Sequence, residues 1–185
     1  KVAALLALVI AGLAVGRHAG AIAANLAEPW RAARLAVGPD GAVTREALGG
    51  LGLAMALGAA SVGSLFACDA WNNVTFTAGE TVDPRRTITR ALVLGVAVVV
   101  VLYLLTNLAY LTVLPVAGDP RATDAFGRGI AFASDDRVGT AAAATVLGEA
   151  AAAVTAALVM VATFGCNNGM ILTGARVTWA MARDG

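Results

Sequence analysis

Charge is scarce in this sequence. Only 14% of its 185 residues are Asp, Glu, Lys or Arg, against about a quarter in an ordinary soluble domain. Aromatic residues make up 5%, and there are one histidine and two cysteines. His18 has no Cys or second His near it, so no ligand set for a metal ion is present. Cys68 and Cys166 both lie deep in apolar stretches, which excludes a secreted disulfide framework; each reads first as a small buried hydrophobe. The net charge is +1, and no basic stripe interleaved with aromatics marks a nucleic-acid partner. There is no histidine at membrane depth, no Glu/His pair on one helical face and no motif for covalent chemistry, so the chain is not read as an enzyme. No cofactor motif is present. Strand-type alternation and internal repeats are absent as well, and the fold class read from the pattern is all-α.

Long uncharged runs stand where charge is missing. Hydrophobic residues make up 59% of the chain and the mean hydropathy is +0.79. Ala91 to Gly118 is 28 residues without a charge, Ala150 to Ala175 is 26, and Ala47 to Cys68 is 22. At a rise of about 1.5 Å per residue each covers about 30 Å or more, the thickness of a hydrocarbon core. The sequence therefore predicts a polytopic membrane protein, and the lipid bilayer is its first partner. Val2 to Gly16 follows Lys1 directly and matches a signal peptide in charge and length, but no convincing small-residue cleavage site follows. It reads as the continuation of a helix already begun. With the abrupt stop at Arg183-Asp184-Gly185, the sequence is expected to be an internal fragment of a larger protein.

Four spans are expected, at about 1–16, 47–79, 88–114 and 150–180. Polar connectors run from Arg17 to Glu46, Glu80 to Thr87 and Pro115 to Arg137, and Ala141 to Gly148 is expected as a short interfacial helix before the last span. Arginine is densest in the short connector, with Arg85, Arg86 and then Arg90, so that side is expected to face the cytoplasm. Trp30 and Trp179 read as interfacial anchors, whereas Trp71 is too deep for that role and is expected beside an unwound turn. Thr106, Asn107 and Tyr110 share one helical face and are expected to pack against neighbouring helices.

The second span is the unusual one. Ser61, Gly63, Ser64, Asp69, Asn72, Asn73, Thr75, Thr77 and Gly79 interrupt its apolar side chains. An acid and amides at membrane depth are costly, and they commonly line a cavity. A discontinuous helix accommodates them, because its freed carbonyls and N–H groups coordinate a polar substrate. A helix buried among neighbours accommodates them too, through interhelical hydrogen bonds. Counting from Glu80 as a boundary, Asp69 lies about 16 Å in at helical rise; counting from Arg176, Cys166 lies about 15 Å in. Lys1 is about 24 Å below Arg17 on the same arithmetic. All three fall in one central slab.

The residues Phe66-Ala67-x-x-x-Trp71-Asn72, followed by Glu80-x-x-x-Pro84, resemble the sixth transmembrane segment of amino acid permeases of the amino acid–polyamine–organocation superfamily, in particular its L-type amino acid transporter branch. Leu102-Tyr103-Leu104-Leu105-Thr106-Asn107-Leu108-Ala109-Tyr110 resembles the seventh. Phe164-Gly165-Cys166-Asn167-Asn168-Gly169, with Arg176 and Arg183-Asp184-Gly185, resembles the eighth, and Lys1 followed by Val2 to Leu8 the fifth. The resemblance covers nearly the whole chain in the right order. It implies a LeuT-like inverted-repeat fold of about twelve helices and sodium-independent secondary transport by a multi-pass protein of a cell membrane. The Ala- and Arg-rich composition adds the expectation of a bacterial source and so of the inner membrane.

By the same resemblance, the carbonyls around Phe66, Ala67, Cys68 and Asp69 hold a substrate ammonium, with Asn72 beside them and the Phe66 ring closing over the site. Lys1 stands where sodium-coupled relatives bind an ion, with Cys166 and Asn167 as its expected neighbours and a coupling role. Glu80 and Arg176 are expected at a cytoplasmic gate. Asp69 departs from the pattern, since many relatives carry glycine there. It either contacts the substrate amine or caps the broken helix, and it keeps open the alternative of a polyamine or cationic amino acid antiporter. Whether an accessory subunit exists stays open.

Overall fold

A computed structural model describes residues 2–67 and 71–184. Helix α1 (Val2–Ile10) passes into a π-helical turn (Ala11–Val15), and α2 (Ala19–Ala27) leaves it at a bend of 93°. Strands β1 (Ala33–Val37) and β2 (Val43–Ala47) precede α3 (Gly50–Ala67) and a 3-10 helix (Trp71–Glu80). The long helix α4 (Pro84–Val113) follows, then α5 (Ala125–Arg128), a 3-10 turn (Ser134–Asp136), α6 (Val138–Leu147) and α7 (Ala150–Asp184). Helices α4 and α7 are each long and apolar enough to cross a membrane, and the bent α1–α2 pair passes the same test when taken together. The protein is a polytopic, mainly helical membrane protein. Ala141–Gly148, expected as a short helix, lies largely within α6.

The ends of α4 follow from local chemistry. Pro84 sits in its first turn, where a missing N–H costs nothing and the ring presets the helical φ. At the other end Leu114 is extended (φ −123°, ψ 142°), the conformation that a following Pro115 imposes. Helix α6 stops at Gly148, whose φ of +57° suits glycine and whose N–H bonds the Ala144 carbonyl. The Asp124 carboxylate caps α5 by accepting from the Gly127 N–H at 2.9 Å.

One correction concerns strands, for which the sequence showed no alternation and which the connector 17–46 supplies. It holds α2 and an antiparallel hairpin with Ala33 opposite Ala47 and Val37 opposite Val43. Gly38-Pro39-Asp40-Gly41-Ala42 closes it: the Gly38 N–H donates to the Ala42 carbonyl, and the Ala42 N–H to the Asp40 carboxylate at 3.1 Å. Gly41 takes a positive φ of 76° that residues with a Cβ avoid. The Arg121 guanidinium occupies the space its side chain would need. The alternation is weak because Arg34, Arg45 and Glu46 share the strands with alanines.

The core lies where the π-helical turn, α4 and α6 meet. Val113 and Leu114 are fully buried and pack with Ala142, Tyr110, Ile130 and Ala141. Gly12 and Gly16, in and just after the π-helical turn, let that turn approach α4 and α6 closely. A Cβ on Gly12 would stand 3.0 Å from the Ala109 Cβ, and one on Gly16 would stand 2.7 Å from Val146 Cγ2. Small residues at such a contact are what membrane helices use in place of hydrophobic drive.

Candidate functional site

The stretch expected as the second span holds two helix types. Residues Gly50–Ala67 are α-helical and Trp71–Glu80 are 3-10. Ten residues of 3-10 geometry are uncommon, since runs beyond three or four residues have poor hydrogen bonds and eclipsed side chains. At a rise of about 2.0 Å per residue, Trp71 lies about 18 Å along the axis from Glu80, farther than the same residues would reach as an α-helix. Two threonines support the tight turns: Thr77 donates to the Val74 carbonyl and Thr81 to the Thr77 carbonyl, at 2.7 and 2.8 Å. The 3-10 segment packs against both α4 and α7.

The expected substrate residues flank this change. Phe66, in the last turn of α3, is 82% exposed, and Ala67 closes the helix. Asn72 lies in the first 3-10 turn. Trp71, expected to pack beside an unwound turn, is 60% exposed. Cys68, Asp69 and Lys1 lie outside the described residues. Not every polar residue of this span asks for a ligand: the Ser61 hydroxyl is met within α3 by the Leu57 carbonyl at 2.8 Å.

On α7 the helix runs unbroken through Phe164 to Gly169, and Cys166 and Asn167 are exposed on it. Ten residues beyond Cys166, Arg176 meets Glu80. Its Nη2 donates to Oε2 at 2.6 Å and its Nε to Oε1 at 3.2 Å, the two-pronged geometry that a planar guanidinium offers a carboxylate. The Arg176 side chain is 24% exposed and that of Glu80 64%. The structure brings this pair of expected gate residues into direct contact. About two turns beyond it, the Arg183 guanidinium lies 5.3 Å from the centre of the Trp179 ring.

The face of α4 singled out from the sequence divides. Thr106 is buried and donates to the Leu102 carbonyl, and Tyr110 joins the core. Asn107 instead is exposed and bonded to the Tyr103 carbonyl of its own helix. Tyr110 also borders an apolar cavity of about 190 Å³ between α1, α4, α6 and α7.

A residue the sequence reading passed over is Asn25. Its Nδ2 donates to the carbonyls of Leu111 and Leu114 at 2.8 and 2.9 Å, and its Oδ1 accepts from the Val116 N–H at 2.8 Å. The one available signal was Pro115, which leaves the Leu111 carbonyl without its helical donor. Nothing in the sequence assigned the replacement to a residue so far away.

The whole chain, residues 1–185, matches the family model described as amino acid permease. The serine/threonine exchanger SteT of Bacillus subtilis (strain 168) is 30% identical over 128 residues, covering 69% of this chain and 26% of that protein. The Asc-type amino acid transporter 1 of Mus musculus is 28% identical over 124 residues, 65% of this chain and 20% of its own length. The large neutral amino acids transporter small subunit 2 of Homo sapiens gives the same identity and coverage. The matched part thus spans between a fifth and about a quarter of these curated relatives. No solved structure matches the chain at a significant level. On the family match along its full length, the chain belongs to the amino acid permease family.

Proposed function

We propose that this chain forms part of a secondary transporter that carries amino acids across a bacterial inner membrane by alternating access around the interruption in its second span. The observation that supports this most is the passage from α-helix to 3-10 helix between Ala67 and Trp71. At a break in a membrane helix, main-chain carbonyls lose their i+4 donors. A substrate ammonium supplies donors in their place. Phe66, Ala67, Cys68, Asp69 and Asn72 are the residues assigned to that site. The named relatives, among them a serine/threonine exchanger and a large neutral amino acids transporter subunit, favour an amino acid as cargo.

Sodium is not required in this reading. A lysine at position 1 supplies the positive charge beside Cys166 and Asn167 that an ion would otherwise supply, and the cycle runs by proton coupling or by exchange. All four apolar segments cross the bilayer, with the Arg85–Arg86 connector in the cytoplasm. The Glu80–Arg176 pair then stands at the inner end, where it ties the 3-10 segment to α7 while the inward path is closed.

The test is uptake of labelled amino acids into proteoliposomes holding the intact permease. Saturable uptake without sodium is expected, with a raised KM in Phe66→Ala. Sodium-dependent uptake would remove the coupling scheme, and no flux or binding with any amino acid would remove the transport reading. Lys1→Ala is expected to abolish net transport or its pH dependence; an unchanged flux and pH profile would end the coupling role of Lys1. The Asp69 carboxylate favours one rival, a carrier of polyamines or cationic amino acids, through Coulomb attraction in low dielectric. Competition by arginine, putrescine and leucine, before and after Asp69→Gly, separates the two.

A further inference from the structure

We propose that α2 and the segment following α4 form a single rigid cap over the end of the bundle opposite the Arg85–Arg86 connector. Asn25 fastens this cap, which travels as one body through the transport cycle. The inference rests on the transport reading for its consequence but on separate residues for its geometry.

The last turn of α4 has a gap in its hydrogen bonding. The donor that would serve the Leu111 carbonyl belongs to residue 115, which is proline and has no N–H. Asn25 of α2 fills that gap at 2.8 Å and serves the Leu114 carbonyl with its second amide proton at 2.9 Å. The next carbonyl, of Thr112, would be served by the Val116 N–H. That N–H turns instead to the Asn25 oxygen, and the Thr112 carbonyl receives the His18 N–H at 2.9 Å. Both carbonyls thus draw their donors from the chain at α2, so the end of α4 is completed only while α2 is in place.

Two further ties extend the cap sideways. The His18 ring lies 4.1 Å from the ring of Phe126 on α5, and the Arg121 guanidinium covers Gly41 in the hairpin turn. Underneath, Ala21, Val113 and Leu114 are buried. Directional bonds resist sliding in a way that apolar packing does not. A body held this way moves whole or not at all, and access from this side must come from motion of α3 and its neighbours against it.

The test joins Ala24→Cys to Ala117→Cys, which line one cleft between α2 and the segment after α4, with a short bis-methanethiosulfonate in the reconstituted intact permease. Uptake within about two-fold of the unlinked protein is expected. A ten-fold loss restored by reducing agent would overturn the proposal, because it would mean the two sides must separate. Amide exchange in Asn25→Ala gives a second readout, independent of transport. The Val116 and His18 amides are expected to exchange at least ten-fold faster together; acceleration at Val116 alone would show that the cap is not one body. If wild-type protein carries no amino acid, the transport reading fails, while the exchange result still decides for or against the cap.

Discussion

Two places in this molecule end a regular α-helix, and their surroundings differ. At the end of α4, Pro115 frees carbonyls that protein groups promptly take up, and the surroundings close: Leu114 is 0% exposed. In the second span the α-helix gives way to a 3-10 helix with Phe66 open beside it. An interruption whose groups are all met from within stabilises one arrangement. In the proposed transport reading, a break at membrane depth favours a ligand that comes and goes. On the proposed function, the first is architecture and the second is the transport site.

The largest effect that would sharpen this contrast is expected from Gly16→Leu. Its added atoms meet Val146 and Val113, and overpacking of that kind costs about 1–3 kcal/mol. Thermal unfolding of the detergent-solubilised permease would register it as a large drop in Tm and in folded yield. Unaltered stability would mean that the chain at Gly16 does not sit closely on Val113 and Val146. Phe66→Ala should do the reverse. As an exposed side chain it should change stability by no more than about 0.5 kcal/mol, yet raise the KM for uptake several-fold; a Tm loss without a KM change would place Phe66 in the framework instead.

A smaller effect is expected at the Glu80–Arg176 pair. Both groups keep contact with solvent, so Glu80→Gln should destabilise by less than about 1 kcal/mol. The gate reading predicts faster labelling of cytoplasmic-side cysteine probes in that variant, and partial return to slow labelling in the swapped pair Glu80→Arg with Arg176→Glu. Equal labelling in all three proteins would remove the gate. Ser61→Ala should be the quietest change. Its hydroxyl is already met within α3, and neither Tm nor uptake should move beyond error; a transport defect would move the site toward the middle of α3.

What the sequence made legible follows the same division. The uncharged runs located α4 and α7 because a bilayer permits little else over such lengths. The weak helix formers between Phe66 and Glu80 pointed to the change of helix type, since they disfavour a regular α-helix whatever surrounds them. The hairpin escaped notice although Gly38-Pro39-Asp40-Gly41 is a turn signal, because alanines and charges blur the alternation of its strands. Asn25 escaped for a deeper reason. Its partners lie 86 to 91 residues away, and an asparagine in a connector looks the same whether it faces water or completes a distant helix. The 93° bend before α2 also depends on what α1 packs against.

Amide exchange of the intact permease, measured with and without a saturating transported amino acid, tests the central claim most directly. Protection around residues 66–72 is expected to rise about ten-fold or more on binding, while the segment 109–116 stays as it was. No gain in the second span, or an equal gain at both places, would contradict a transport site at the helix break.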